Sequence, residues 1–579
     1  MGFSAHPDQA LKCLLVSPKF PPHSYWNYVA AAELINAKSP SPPLGLITVA
    51  ALLPQHWEFK LMDLNVQDFS EEMWNWADLI CVGGMLPQQQ GLLEIVKRAN
   101  ATGKFVVIGG PDPSSQPDLY AEADVTVVGE AENLIGVWLD AWRAGNPRGV
   151  FKTNKKPDVS TTPIPRFDLL DFRNYVEVGL QYSRGCPFNC EFCDIIELYG
   201  RVPRTKSPEQ VLAELQSIYD CGYRGSIYFV DDNFIGNKRN VKKLLPFVTD
   251  WQKSHKYPFF FATEASMNLG DDVKLLELMQ AADFRFVFMG IETPDHDVLM
   301  QTQKSQNTMH SIVDRVNMLY KHGIVALGGF IMGFDSELPG IDVRMTKCIE
   351  DTAICMATVG LLVALPNTQL TKRLQKEGRL LDSRGIVVPV DQKEYRLVIH
   401  SAVAGDHTVS GLNFVTTRPT HEILREYRNV IANIYSPESY FARAIETTKR
   451  LRTKSLHVPS WFEWKRSLLG FWNLTKFMTR DPDLRWHYWR SMGKMLRYGP
   501  ARFDAGMRLI GIFTHFYPHS KYVLEQIDKR LANPDHYEHS YNKDVDAGMI
   551  HDAAVMPNRP SANLSQVTAS SPVSGVAAS

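Results

Sequence analysis

Short apolar runs alternate with helix-like amphipathic stretches along the first quarter of the chain. Gly, Pro or Asp bounds each run, as expected for buried strands joined by helical crossovers. Together with helical patterns such as residues 91–99 and 133–142, the runs predict a doubly wound parallel sheet. The predicted strands are residues 13–16, 59–62, 79–82, 105–108 and 125–128.

A second alternating series follows a Pro-, Thr- and Lys-rich stretch at 152–165, which is typical of a linker. Helical stretches such as 208–219, 273–281 and 309–322 separate its strands. This order predicts a partial or full α/β barrel, in which reactive residues lie just after each strand. The predicted strands are residues 178–183, 226–230, 259–263, 286–290, 325–332 and 360–365.

Helical patterns replace strands from about residue 400 onward, and five of the twelve tryptophans lie in this region. One interpretation is a helical cap whose amphipathic face meets an apolar or anionic lipid. The other, which we favour, is a small domain with the Trp side chains in its core and the Arg side chains at its surface. Aromatic residues end at Tyr541, and we predict disorder beyond it. The predicted helices are residues 421–436, 438–452, 465–478 and 485–497.

The overall composition excludes several classes of protein. With 44% hydrophobic and 22% charged residues, the 579-residue chain has the composition of a soluble, core-forming protein. The 62 Lys and Arg balance 63 Asp and Glu, which argues against a dedicated nucleic-acid binder. Neither an apolar run of about 18 residues nor a signal-peptide pattern is present. We therefore expect a cytoplasmic protein.

Three of the eight cysteines, Cys186, Cys190 and Cys193, lie on one short segment directly after a predicted strand. Thiolates are the soft ligands that select zinc or iron–sulfur clusters. A structural zinc site needs four ligands, and the next cysteine, Cys221, follows an intervening helical stretch. The spacing therefore favours a [4Fe–4S] cluster with one iron open to a substrate. A zinc-binding structural or interaction module is the alternative.

Glycines follow three predicted strands of the first sheet. The crevice beyond the carboxyl ends of such strands binds ligands, and glycine lets a flat ligand approach the backbone closely. Simple tight turns are the alternative interpretation. The candidate pocket residues are Gly83, Gly84, Gly109, Gly110, Gly129 and Glu130.

The segment Cys-x3-Cys-x-Phe-Cys resembles the signature of the radical S-adenosylmethionine (SAM) superfamily. The first sheet looks like the cobalamin-binding domain of its B12-dependent branch. The helical C-terminal third is similar to the extension of hopanoid C-2 methylases and their relatives. Further stretches that match the branch are FVDDNF (229–234), ATEA (262–265), MGIET (289–293), GFIMGF (329–334) and ALPNT (364–368).

This resemblance implies roles for the residues that follow the barrel strands. Each cysteine would bind one iron, and the fourth iron would take the amino and carboxylate groups of SAM. Asp231 and Asp232 stand where the superfamily usually carries Gly-Gly-Glu. One of the two would accept a hydrogen bond from the SAM ammonium. Glu264 and Glu292 would accept from the ribose hydroxyls, with rim salt bridges as the alternative, and Phe192 would pack near the adenine. The residues expected to line the adenine are Gly329, Ile331 and Gly333.

The resemblance also implies that cobalamin binds at the glycines of the first sheet. The Asp-x-His-x-x-Gly motif of cobalt-ligating domains is absent from the sequence, so this domain would supply no histidine ligand. A vestigial domain that binds nothing is the alternative. The implied bounds are residues 10–150 for a Rossmann-like cobalamin domain, 151–170 for a linker, 171–398 for a radical SAM (β/α)6 barrel, 399–540 for a helical domain and 541–579 for a disordered tail.

The implied activity is a cobalamin-dependent radical SAM methyltransferase that uses methylcobalamin and two SAM molecules per turnover. Its substrate would be a small molecule or lipid, most specifically a hopanoid at C-2. A flavodoxin or ferredoxin would supply electrons, no nucleic acid would be bound, and peripheral contact with the inner membrane is left open. Relatives that close rings or rearrange carbon skeletons without methyl transfer are the alternative.

Overall fold

Two parallel sheets form the framework of the protein. The computed structural model describes residues 5–25, 27–382, 408–453 and 456–532. Contacts divide these residues into two compact units, one with residues 5–19 and 45–169 and one with 20–44 and the described residues from 170 onward. The domain bounds expected from the sequence remain a prediction, and the tail at 541–579 lies outside the described residues.

The sheet of the first unit has six parallel strands in the order β2-β1-β3-β4-β5-β6, which confirms the doubly wound sheet. The order reverses between β1 and β3, which makes the carboxyl edge there a ligand-binding crevice in such folds. The strands are β1 (Lys12–Ser17), β2 (Glu58–Asp63), β3 (Leu79–Gly83), β4 (Phe105–Gly109), β5 (Val125–Val128) and β6 (Gly149–Lys152).

Apolar residues cover both faces of this sheet. Because successive side chains of a strand point to opposite faces, Leu14 and Val16 join one core cluster, and Cys13 and Leu15 join the other. Strand β6 was missed by the sequence analysis because it buries only Phe151. The helices between residues 44 and 143 are Leu44–Leu52, Glu71–Trp76, Gln89–Thr102, Pro111–Ser115 and Ile135–Arg143.

The second unit contains six parallel strands in the order β14-β13-β12-β11-β10-β7. This arrangement confirms the partial (β/α)6 barrel. The predicted strand at 178–183 is in fact two strands, since β8 leaves the barrel to pair with β9 in an antiparallel hairpin. The strands are β7 (Glu177–Leu180), β8 (Ser183–Arg184), β9 (Arg204–Thr205), β10 (Gly225–Phe229), β11 (Phe259–Glu264), β12 (Phe284–Glu292), β13 (Val325–Met332) and β14 (Ala357–Leu361).

Helices follow the barrel strands, and most of them show the expected amphipathic pattern. The helix Pro208–Asp220 begins with a capping box, in which Ser207 and Gln210 satisfy each other's backbone N–H groups. The helices from residue 195 to 376 are Ile195–Leu198, Pro208–Asp220, Lys238–Ser254, Val273–Ala281, His296–Gln301, Ile312–Lys321, Ile341–Thr352 and Gln369–Lys376.

The described C-terminal part is helical, as expected. Its last helix, which the sequence pattern does not predict, runs for 33 residues and contains Pro518 in its interior; proline is normally a helix breaker. No helix in the described ranges has both the length and the hydropathy that a membrane span requires. The C-terminal helices are Thr420–Ile434, Pro437–Arg450, Trp461–Arg480, Pro482–Met495 and Pro500–Ala532.

The tryptophans of this region do not fill its core, which contradicts the favoured interpretation of the sequence. The core is built from other aromatic side chains, such as Tyr440 stacked on Phe513 at a centroid distance of 4.2 Å. All five tryptophans are exposed instead: Trp461, Trp464, Trp472, Trp486 and Trp489.

Candidate active site

The three cysteines lie on a tight loop that follows β8. Gly185 opens the loop with a φ of 91°, and a Cβ there would come within 2.7 Å of the Gly200 carbonyl oxygen. Only glycine fits between these two segments of chain. The Cys186 N–H donates to the same carbonyl at 3.3 Å, and the Cys193 N–H donates to the Cys190 carbonyl at 3.2 Å.

Two amide side chains point at the sulfurs of this loop. Nδ2 of Asn233 lies 3.7 Å from Sγ of Cys186, and Nε2 of Gln306 lies 3.8 Å from Sγ of Cys190. Burial raises the pKa of all three thiols. Within the described ranges, no three His, Cys, Asp or Glu side chains are close enough to hold a single metal ion. Three thiols, two of which accept from amide side chains, fit an iron–sulfur cluster.

The two acidic residues after β10 connect the barrel to the start of the cysteine loop. Asp231 is buried and accepts from the backbone N–H groups of Tyr182 and Ser183. Burial raises the pKa of Asp231 to about 7 despite these donors. Asp232 is only half-buried and accepts from the Gly185 N–H at 3.1 Å. Asp232 is thus the more accessible of the two carboxylates, and the contact of either one with SAM stays a prediction.

Glu264 ends β11 and is held by a neighbouring strand. The Tyr228 hydroxyl on β10 donates to its Oε1 at 3.0 Å. Burial raises the pKa of Glu264 to about 7. A carboxylate fixed at a strand end can accept from a bound hydroxyl, so the expected ribose contact stays a prediction consistent with this placement.

Glu292 forms a buried ion pair with Lys304, which the sequence analysis missed. Gly290 makes room for the pair, since a Cβ there would lie 2.5 Å from the Glu292 carboxylate and 2.7 Å from Nζ of Lys304. Burial lowers the pKa of Lys304, but Glu292 and Cys190 outweigh burial and raise it overall. The Lys304 Nζ also lies 5.7 Å from the Phe192 ring centroid. No local motif marks Lys304, because only the fold brings it to Glu292.

The expected adenine-lining residues lie on and just after β13. Gly329 and Ile331 point to the same face of the strand. Gly333 has a φ of 101°, and its N–H donates to Glu337 at 3.1 Å. Burial raises the pKa of Glu337 to about 8. Through this hydrogen bond, Glu337 holds the turn after the strand.

These contacts converge on the cysteine loop. Asp232 and Asn233 reach it from the end of β10, while Gln306 and Lys304 reach it from the segment after β12. Phe192 contacts Phe334, which follows β13, with ring centroids 5.7 Å apart. The individual SAM contacts of Phe192, the acidic residues and the β13 residues remain predictions.

In the first unit, glycines stand at or directly after the carboxyl ends of β3, β4 and β5. Gly110 has a φ of 107°, and a Cβ there would come within 2.9 Å of the Gly84 carbonyl oxygen. Gly83 and Gly109 approach each other similarly. Gly129 follows β5 with a φ of 117°. A flat macrocycle fits such an edge, and the assignment of these residues to cobalamin stays a prediction. Glu130, also assigned to this pocket, is buried.

Three protein families match successive parts of the chain. The B12 binding domain matches residues 32–136, the Radical SAM superfamily matches 180–339, and a domain of unknown function, DUF4070, matches 368–529. A cobalamin-binding unit and a barrel with a three-cysteine loop in one chain define a radical SAM enzyme of the B12-dependent class.

Proteins that are similar to this chain include methyltransferases. An uncharacterized methyltransferase of Synechocystis sp. is 41% identical over 530 residues, which cover 90% of this chain and 94% of that protein. The hopanoid C-2 methylase of Rhodopseudomonas palustris is 36% identical over 406 residues, covering 69% and 72%. The radical SAM methyltransferase TsrM of Kitasatospora setae, solved with cobalamin and a [4Fe–4S] cluster, shares the fold with a TM-score of 0.56 and 15% identity, covering 80% and 99%.

The chain belongs to the family of cobalamin-dependent radical SAM methyltransferases. Its cofactors are a [4Fe–4S] cluster, SAM and cobalamin. The zinc-binding module considered from the sequence is therefore wrong, and so is the vestigial first domain.

Proposed function

We propose that the enzyme methylates an unactivated carbon of a polycyclic lipid, a hopanoid at C-2, using methylcobalamin and two SAM molecules per turnover. The observation that carries this proposal is the 36% identity with the hopanoid C-2 methylase. That match covers 69% of this chain, so it extends well beyond the 160-residue radical SAM region at 180–339.

The chain's own residues would position the cofactors. When bound, these groups supply electron transfer, hydrogen abstraction and methyl donation, which no side chain can do. Cys186, Cys190 and Cys193 would hold the cluster, with Asn233 and Gln306 donating to two of the sulfurs. Such donors tune an iron–sulfur centre and orient its ligands.

The strand ends would hold SAM. Asp232 would accept from its ammonium, and Glu264, held by Tyr228, would accept from its ribose. Lys304 would pair with the Glu292 carboxylate beside the loop. A small electron carrier such as flavodoxin or ferredoxin would reduce the cluster. The enzyme would work in the cytoplasm, in peripheral contact with the inner membrane that contains its substrate.

The test is an anaerobic reaction of the reconstituted protein with SAM, reductant, methylcobalamin and the hopanoid diploptene. We expect mass spectrometry to show a lipid heavier by one methylene unit, together with 5′-deoxyadenosine and S-adenosylhomocysteine. The Cys190→Ala variant should form none of these products. The matched control is Cys221→Ala, which changes an exposed cysteine outside the loop and should behave like the unaltered protein.

Other outcomes separate the parts of the proposal. If 5′-deoxyadenosine forms while the lipid mass stays unchanged, the radical chemistry stands and the hopanoid substrate is wrong. If a ring closes or a skeleton rearranges without S-adenosylhomocysteine, this chain departs from the methyl transfer of its family.

A further inference from the structure

The helix Trp461–Arg480 has two apolar faces, and only one of them packs within the fold. Its inner face buries Gly470, Leu474 and Met478. On the same side, Asn473 donates to the Leu34 carbonyl oxygen at 3.0 Å. Exposed apolar patches on a folded protein usually mark a binding surface, so the outer face of this helix is a candidate docking surface.

The outer face is a continuous aromatic and aliphatic stripe. Trp461, Trp464, Leu468 and Trp472 are spaced by three or four residues and so share one side of the helix. Trp461 and Trp472 are each 67% exposed. The rings of Trp461 and Trp464 stack with their centroids 5.5 Å apart, which keeps both indoles on this side.

The next helix, Pro482–Met495, repeats the arrangement. Leu484, Tyr488 and Met495 are buried on its inner face, whereas Trp486 and Trp489 are 69% and 46% exposed on the outer face. Of the nine exposed Phe and Trp side chains among the described residues, eight lie between residues 461 and 489. We call Trp461, Trp464, Leu468, Trp472, Trp486 and Trp489 the tryptophan surface.

Positive charge surrounds the tryptophan surface. Residues 461–497 contain eight Lys and Arg but only three Asp and Glu, in a chain whose formal net charge is -1. Within the described ranges, none of the exposed cations of these helices forms an ion pair with a carboxylate. These cations are Lys465, Lys476, Arg480, Arg485, Arg490, Lys494 and Arg497.

We propose that the tryptophan surface binds the interface of an anionic lipid bilayer. Indole rings favour the boundary between headgroups and acyl chains, and Lys and Arg beside them attract anionic headgroups. A second copy of this chain is a poorer occupant, because a symmetric contact would bring two positively charged surfaces together. The inference deepens the peripheral membrane contact proposed above, but its test uses no methyl acceptor, so the two can fail separately.

The test is flotation of the full-length holoenzyme with vesicles of phosphatidylcholine, with and without phosphatidylglycerol. We expect binding to the vesicles that contain phosphatidylglycerol. The variant W461S/W464S/W472S should reduce the bound fraction by at least about tenfold. The variant K465E/K476E/R485E/R490E should do the same by removing the attraction to the headgroups. All of these side chains are exposed, so the fold should tolerate the changes.

Matched controls alter exposed residues elsewhere. The variant Phe247→Ser removes an exposed aromatic ring on the helix Lys238–Ser254, and K97E/K253E/K274E/K347E reverses four exposed cations outside residues 461–497. Both should bind vesicles like the unaltered protein. Equal binding by the tryptophan variant overturns the proposal. The proposal is also overturned if the unaltered protein does not bind vesicles but dimerises in sedimentation velocity, and the tryptophan variant does not dimerise.

Discussion

Lys304 and Glu292 show how a single side chain shapes the surroundings of the cysteine loop. Both are at least nine-tenths buried, and their charged groups are in contact. Burying two charges costs several kcal/mol each unless they pair closely. The pair therefore has to be kept or lost as a unit, and the glycine at position 290 leaves the space for it.

The variant Lys304→Met should lower the free energy of unfolding by about 3–5 kcal/mol, because it leaves the Glu292 carboxylate buried without its partner. Urea unfolding followed by circular dichroism measures this loss. Adding Glu292→Gln should recover much of it. The control is Lys347→Met, which breaks an exposed pair with Asp351 and should cost less than about 1 kcal/mol. A similarly small loss for Lys304→Met would show that the buried pair is not formed.

Glu337 makes stability depend on pH. Burial raises its pKa from 4.5 to about 8 in the folded protein, so the folded state keeps a proton that the unfolded state releases. Stability therefore falls as pH rises from 4.5 to about 8, by at most about 1.4 kcal/mol per pH unit. Glu337→Gln should remove this contribution, since its amide oxygen still accepts from Gly333.

Urea unfolding of both proteins at several pH values across that range is the measurement. The stability of Glu337→Gln relative to the unaltered protein should increase steadily with pH. A constant difference would mean that Glu337 is already ionised at the lower end of the range.

At the scale of elements, the ends of β3 and β4 depend on glycine. Gly110 adopts a left-handed φ and touches the Gly84 backbone. Gly110→Ala should weaken hydroxocobalamin binding by about tenfold or more, because the added Cβ pushes the two turns apart. Equilibrium dialysis measures the affinity.

The matched control for this change is Gly136→Ala in the helix Ile135–Arg143, where an added Cβ meets nothing within 4 Å. It should leave the affinity unchanged and favour the helix slightly. Unchanged affinity in a folded Gly110→Ala protein would place cobalamin away from this edge.

Strands and helices could be predicted from the sequence where one face, or the whole element, is buried. The buried strands β1 and β3 to β5 are apolar runs in the sequence. Barrel strands such as β11 and β13 are also largely apolar runs, and amphipathic helices separate them. Strand β6 lacked this signal because one buried residue makes no pattern. The helix Pro500–Ala532 was hidden by its internal proline, whose lost hydrogen bond is offset by the aromatic packing of the helix.

On the scale of the whole molecule, contacts distant in sequence decide which segments belong together. The Tyr25 hydroxyl donates to the Val359 carbonyl on β14 at 3.1 Å, and Arg466 donates to the Ile35 carbonyl at 3.0 Å. Residues 20–44 thus pack with the barrel and the C-terminal helices. From the sequence, residues 20–44 are expected with the first sheet, since they directly follow its first strand.

The sequence alone determined the order of strands and helices, the three-cysteine loop and the family, because each is carried by residues that are close together in the chain. The fold decided which side chains support that loop. Asn233 follows β10, whereas Lys304 and Gln306 follow β12. It also decided that the C-terminal tryptophans point outward. Helical spacing groups side chains on a face, but only packing against neighbours determines whether that face is covered.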